Sequence, residues 1–230
     1  MQGAPTTVRN SRYSPDAFAG FAVLCNDGRP WMRFGEDSMT ILLLGLICFL
    51  GVHSTRLLAP AWRTSRIAQF GANGWKAAYS LVSLAGFVLV VYGFGVARSA
   101  PVVVWTPPRY MAHIAALLIL PAFVLIACAY VPGTRIKAAV GHPMLLGIKL
   151  WAFAHLLANG FAHDILLFGA FLVWAVLDYV ASRRRDRAEG VSYPAGGIDR
   201  DVIAIVAGTL GWIAFAFYLH GALIGVRPFG

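Results

Sequence analysis

Six stretches of this chain, at about 40–58, 75–97, 111–131, 143–159, 164–181 and 202–224, are continuous apolar runs. An α-helix needs about 20 mostly apolar residues to cross about 30 Å of hydrocarbon. Within lipid only helices and closed barrels satisfy every backbone N–H and C=O. The runs do not alternate apolar with polar residues, which excludes a barrel. The expected fold class is therefore all-α: a polytopic membrane bundle of about six transmembrane helices. Composition agrees, with 59% hydrophobic and 13% charged residues and a mean hydropathy of +0.69. The lipid bilayer is the first partner this implies.

A net charge of +9 would suit nucleic acid, but its distribution argues against that partner. Ten Lys and Arg residues stand in the first, third and fifth links, among them Arg56, Arg63, Arg135 and the Arg183–Arg187 run. The second and fourth links and the C-terminal tail hold three: Arg98, Arg109 and Arg227. By the positive-inside bias, the first span then starts outside and the carboxyl terminus ends outside. Residues 1–38 differ from the rest, being polar and Arg-bearing with one short apolar run. They read as a disordered leader or a start-site artefact, with translation beginning at Met39 and residues 39–230 forming one transmembrane domain. Cys25, Cys48 and Cys128 are far apart, and no CxxC or CxxCH occurs, so a redox pair and covalent haem attachment have no foothold. No P-loop, GxGxxG or HExxH is present either.

The fourth stretch gathers the chemistry. Pro143 lacks a backbone N–H and suits the first turn of a helix, while Asn159-Gly160 suits its stop. Lys149, His155 and Asn159 interrupt an otherwise apolar run. At about 100° per residue, Trp151, His155 and Asn159 share one face, and His142 and Lys149 another. Polar and ionisable groups at membrane depth are expensive, so they face protein or water. His142, Lys149 and Asn159 are thus candidates for a polar path, as a small-molecule or metal transporter would need.

Topology sorts the six histidines. His113, His163 and His220 fall near the outer ends of their spans, ordinary interfacial positions that also leave open a zinc or copper site. His53 and His155 lie inside spans. A neutral imidazole there needs a partner for each ring nitrogen, from the bundle or from a haem iron. Counted from the inner boundary at about 1.5 Å per residue, His53 is roughly 8–12 Å deep and His155 roughly 18 Å deep. Arg56, one turn beyond His53, is a cation for a haem propionate or for lipid headgroups.

Five separated motifs carry a resemblance. They are Leu-Gly-Val-His53-Ser, Trp75-Lys-Ala-Ala-Tyr79, Trp105-Thr-Pro-Pro, Gly141-His-Pro-Met with Ala-His155-Leu-Leu-Ala-Asn-Gly, and Leu167-Phe-Gly with its Arg-Arg-Arg tail. Together they resemble the NnrU family of bacterial inner-membrane proteins, associated with nitric oxide and nitrite metabolism in denitrifiers. That family is homologous to the plant and cyanobacterial ζ-carotene isomerase, a haem b enzyme active when its iron is reduced. The resemblance implies haem b with His53 and His155 as axial ligands. It also implies nitric oxide or a hydrophobic polyene-like substrate, and an isomerase-like or redox activity. The isomerase's paired histidines are replaced here by Ile165-Leu166. A haem-free transporter or a membrane assembly factor is the alternative reading.

Overall fold

The computed structural model describes residues 36–229. Of residues 1–38, read as leader or artefact, 1–35 lie outside them, and 36–38 open the first helix. The described chain is helical, and its one β-type pairing is an isolated bridge between Val103 and Phe161. In chain order the helices are α1 Glu36–His53, α2 Thr55–Leu58, α3 Pro60–Ala97, α4 Met111–Tyr130, α5 Arg135–Val140, α6 Pro143–Ala158, α7 Ala162–Glu189 and α8 Ile198–Ala214. A π-helical turn, Phe215–Leu219, then leads into α9, His220–Ile224.

Four segments are long and apolar enough to cross a membrane: α3, α4, α7 and Ile198–Ile224. Two are shorter, Met39–His53 in α1 and Pro143–Ala158 in α6. The 16 residues of α6 rise about 24 Å, less than the hydrocarbon thickness. His53 ends the first short helix, and His155 lies in the last turn of the second.

The large helices stand side by side in the order α3, α1, α7, α6, α4, α8. The tightest pair is α1 with α3, and glycine makes it so. A Cβ on Gly93 would lie 2.5 Å from the Leu42 backbone nitrogen, and one on Gly86 2.7 Å from that of Phe49. With no side chain at either site the backbones close in antiparallel register, in the manner of small-residue packing in membranes. Leu42, Leu46 and Val90 are buried there, and the same cluster continues through Ala152, Leu167 and Phe168. The Gly221/Gly225 spacing plays no such part: Gly225 has φ 76° and caps α9.

Three boundaries differ from expectation. The first link is mostly helical, because α3 starts at Pro60 and is broken at Gly71 (φ 73°, ψ 164°). Trp62 and Trp75 would stand about 20 Å apart on a straight helix, yet their rings are 5.7 Å apart. The chain therefore turns back at Gly71, where φ is positive and only glycine is unstrained. Second, α7 runs two turns past the expected end and carries the Arg183–Arg187 run as helix, stopping at Gly190 in the left-handed region. Third, the last span contains the π-helical turn, a register change that sequence periodicity does not reveal. Pro121 lies inside α4.

The links gather at two ends. At the basic end, Gly196 N–H donates to Gly133 O, and Ile136 N–H to Asp201 Oδ1. At the other end, the N–H groups of Val104 and Trp105 donate to Gly160 O, that of Ala162 to Val102 O, and Arg98 Nη1 to Ile224 O.

Candidate functional site

His53 closes α1 among aromatic rings. Its Nδ1 lies 2.7 Å from Phe49 O, the carbonyl one turn back, so Nδ1 carries the hydrogen and Nε2 keeps its lone pair. Phe49 is 4.3 Å away between ring centroids, Tyr79 5.2 Å and Trp174 6.1 Å, the last two edge-on. Trp174 Nε1 is buried and makes no hydrogen bond. An indole donor left so is unusual, and a group bound beside His53 would satisfy it. Trp174 also walls an apolar groove of about 720 Å³ between α1 and α7, with Leu50, Gly51, Ser54, Gly169 and Ala170 among its other walls.

His155 repeats the arrangement. Its Nδ1 lies 2.8 Å from Trp151 O, its ring stacks on Phe168 at 4.4 Å, and Asn159 Nδ2 donates to its carbonyl. The expected Trp151–His155–Asn159 face is present, and Asn159 caps its own helix. Neither His53 nor His155 makes a hydrogen bond through Nε2 among the described residues.

The two histidines do not face each other. His53 stands level with Trp174 and His155 with Phe168, six residues apart on α7 and about 9 Å in rise. Phe171 stands between those levels, 5.9 Å from Phe49 and 5.5 Å from Trp151. Beside the Nε2 of His53 stand the orphaned Trp174 N–H and the apolar groove.

At the basic end, His142 Nε2 sits 2.9 Å from Asp186 Oδ2, which also accepts from Tyr193 OH at 3.2 Å and lies 3.5 Å from Arg183 Nη1. Tyr179 OH donates to Val140 O, and Lys149 Nζ rests 3.8 Å above the Tyr179 ring. Burial, reinforced by the Asp186 carboxylate, pushes the Tyr193 phenol up from its ordinary value of 10. Arg56 is exposed and within electrostatic reach of Tyr193. The structure thus brings His142, Arg56 and the ring beneath Lys149 toward one end, and leaves Asn159 at the other. Sequence reasoning missed Asp186 and Tyr193 as partners of His142, since separations of 44 and 51 residues leave no local signal. The carboxylate that meets Arg183 within the arginine run is Asp186.

Of the three remaining histidines, His113 is exposed, and His220 Nδ1 lies 2.6 Å from Val226 O. His163 is buried beside Asp164. No group of three or more His, Cys, Asp or Glu able to hold a metal ion occurs among the described residues.

The fold and these sites define a polytopic, all-α membrane protein with two histidines, His53 and His155, whose Nε2 atoms make no hydrogen bond among the described residues. Over residues 41–228 the chain matches the family described as NnrU protein, and it belongs to that family. No curated protein and no solved structure matches it.

Proposed function

We propose that this NnrU-family protein binds haem b through His53 and acts in nitric oxide- or nitrite-linked redox metabolism. Its setting would be a bacterial inner membrane, with the arginine-rich end cytoplasmic by the positive-inside bias. The observation that carries the reading is the free Nε2 of His53, fixed by the Phe49 carbonyl and set beside the orphaned Trp174 N–H. A hydrogen bond from the second ring nitrogen fixes the tautomer and raises ligand basicity. Bound there, haem would supply a redox-active iron with a coordination position open to a small ligand such as nitric oxide.

The chain's own residues do the rest. Phe49 and Tyr79 pack on the imidazole, with Phe171 behind Phe49, and Trp174 offers a donor to a polar atom of the bound group. Arg56, one turn beyond His53, is the cation for a propionate. The apolar groove has the lining that a hydrophobic polyene-like substrate of an isomerase-like reaction would need. His155 serves as a second imidazole, for a separate group or after repacking of Phe171. A transport path along α6 has less support, because Lys149 is held over Tyr179 and Asn159 caps its own helix.

The deciding measurement is the optical spectrum of protein expressed with ample haem, oxidised and then dithionite-reduced. A b-type spectrum of five-coordinate character that is lost in His53→Ala is expected. A low-spin spectrum that needs both His53 and His155 would restore bis-imidazole ligation. A featureless spectrum would overturn the haem reading and leave a haem-free transporter or assembly factor.

A further inference from the structure

We propose that His163 and Asp164 form a buried site that takes up one exchangeable proton at the end of the bundle opposite the arginine run. The two side chains open α7, and they are only 1% and 4% exposed. His163 Nε2 and Asp164 Oδ2 are both buried without a hydrogen-bond partner, and Nε2 lies 3.6 Å from Oδ1 of the same carboxyl. The Phe161 N–H supports that carboxyl. The Phe161 ring lies parallel to the imidazole at 5.5 Å, and Phe94 meets it edge-on at 5.1 Å. The segment through Val102 and Trp105 is strapped over this corner by its bonds to Gly160 and Ala162. Gly160 lies so close to the Trp105 carbonyl that no side chain fits between them.

An acid and a base enclosed together, each with an unfilled hydrogen-bonding position, is an arrangement that satisfied polar packing would not leave. What could fill it is narrowed by the surroundings. Arg98, at the end of α3, is the charged side chain that acts on both residues, and its Nη1 is bonded to Ile224 O beside α9. The strap and the Phe161 link contribute no charged group. With His163 neutral, the Asp164 carboxylate lies in the field of the Arg98 guanidinium. A divalent cation would bring two more positive charges to a site with two side-chain donors and a neighbouring guanidinium. An anion would meet the carboxylate. A single proton adds one charge, needs no cavity, and can reside on the carboxyl or on the imidazole. It comes from the adjacent aqueous phase and returns there, with no change in oxidation state. The proposal stands independently of haem binding.

The test is infrared difference spectroscopy of the whole protein in lipid nanodiscs, between mildly acidic and mildly alkaline pH. A carboxylic C=O band that grows on the acid side and vanishes in Asp164→Asn is expected. Its midpoint should move to higher pH in Arg98→Gln, where a positive charge has been withdrawn. A carboxyl region that does not change with pH, a band that persists in Asp164→Asn, or a midpoint unmoved in Arg98→Gln would each overturn the proposal. The Arg98→Gln comparison decides the matter even if Asp164→Asn does not fold.

Discussion

His142 Nε2 lies 2.9 Å from Asp186 Oδ2, tying the N-cap of α6 to the last turns of α7. The carboxylate is largely shielded and serves three partners, His142, Tyr193 and Arg183. Removing it strands several groups at once. Asp186→Asn is expected to cost about 1–3 kcal/mol in unfolding free energy. A double-mutant cycle with His142→Gln should show coupling of about 1 kcal/mol. Additive effects would mean that the contact holds nothing together.

Tyr193 gives this corner a pH dependence. Its folded phenol holds its proton more tightly than the unfolded one, so the stability it contributes is full below pH 10 and falls as pH rises through the raised value. Thermal melts of the wild type should therefore decline on the alkaline side more steeply than those of Tyr193→Phe. Parallel alkaline limbs would refute this.

The glycine seam between α1 and α3 should tolerate no side chain. Gly93→Ala drives a methyl to 2.5 Å from the Leu42 nitrogen, where backbone rather than a flexible side chain must yield. Overpacking of this kind costs about 1–3 kcal/mol. Gly95→Ala, two residues on with nothing within 4 Å, is the control and should be close to neutral. Equal effects of the two substitutions in denaturation would show that the close approach at Gly93 does not govern stability there.

Trp174 separates a structural role from a binding one. Its buried N–H has no partner, so Trp174→Phe removes an unsatisfied donor and should leave the ligand-free protein within about 1 kcal/mol of the wild type. Haem retention, if His53 is the ligand, should fall. Unchanged retention alongside a large loss of stability would make Trp174 a packing residue alone.

Much of this was legible in the sequence, and the limits are physical. The apolar runs gave the all-α membrane fold, and α6 begins and ends where Pro143 and Asn159 indicated. The grouping of links by charge matches the ends at which they meet. The break at Gly71 is not legible in the sequence, because glycine's presence does not announce the sign of φ. The π-helical turn was invisible for a similar reason: one added residue in a uniformly apolar run leaves the hydropathy pattern intact. Among the site residues, the His53 and His155 tautomers follow from local i, i−4 geometry. Their separation along α7 does not, since it depends on how three helices slide past one another. The His163–Asp164 dipeptide was in plain view, but burial by a strap from 60 residues upstream was not.

The α1–α3 seam has a bearing on how the protein is made. All of its contacts lie within the first 97 residues, and α1 and α3 pack more closely on each other than on anything that follows. Such a hairpin can close while the remainder is still on the ribosome, with loop-closure entropy paid over a short separation. The later helices would then assemble against a finished edge. A nascent chain halted after α3 should already resist extraction as a folded pair, and the Gly93→Ala lesion should act at that early stage.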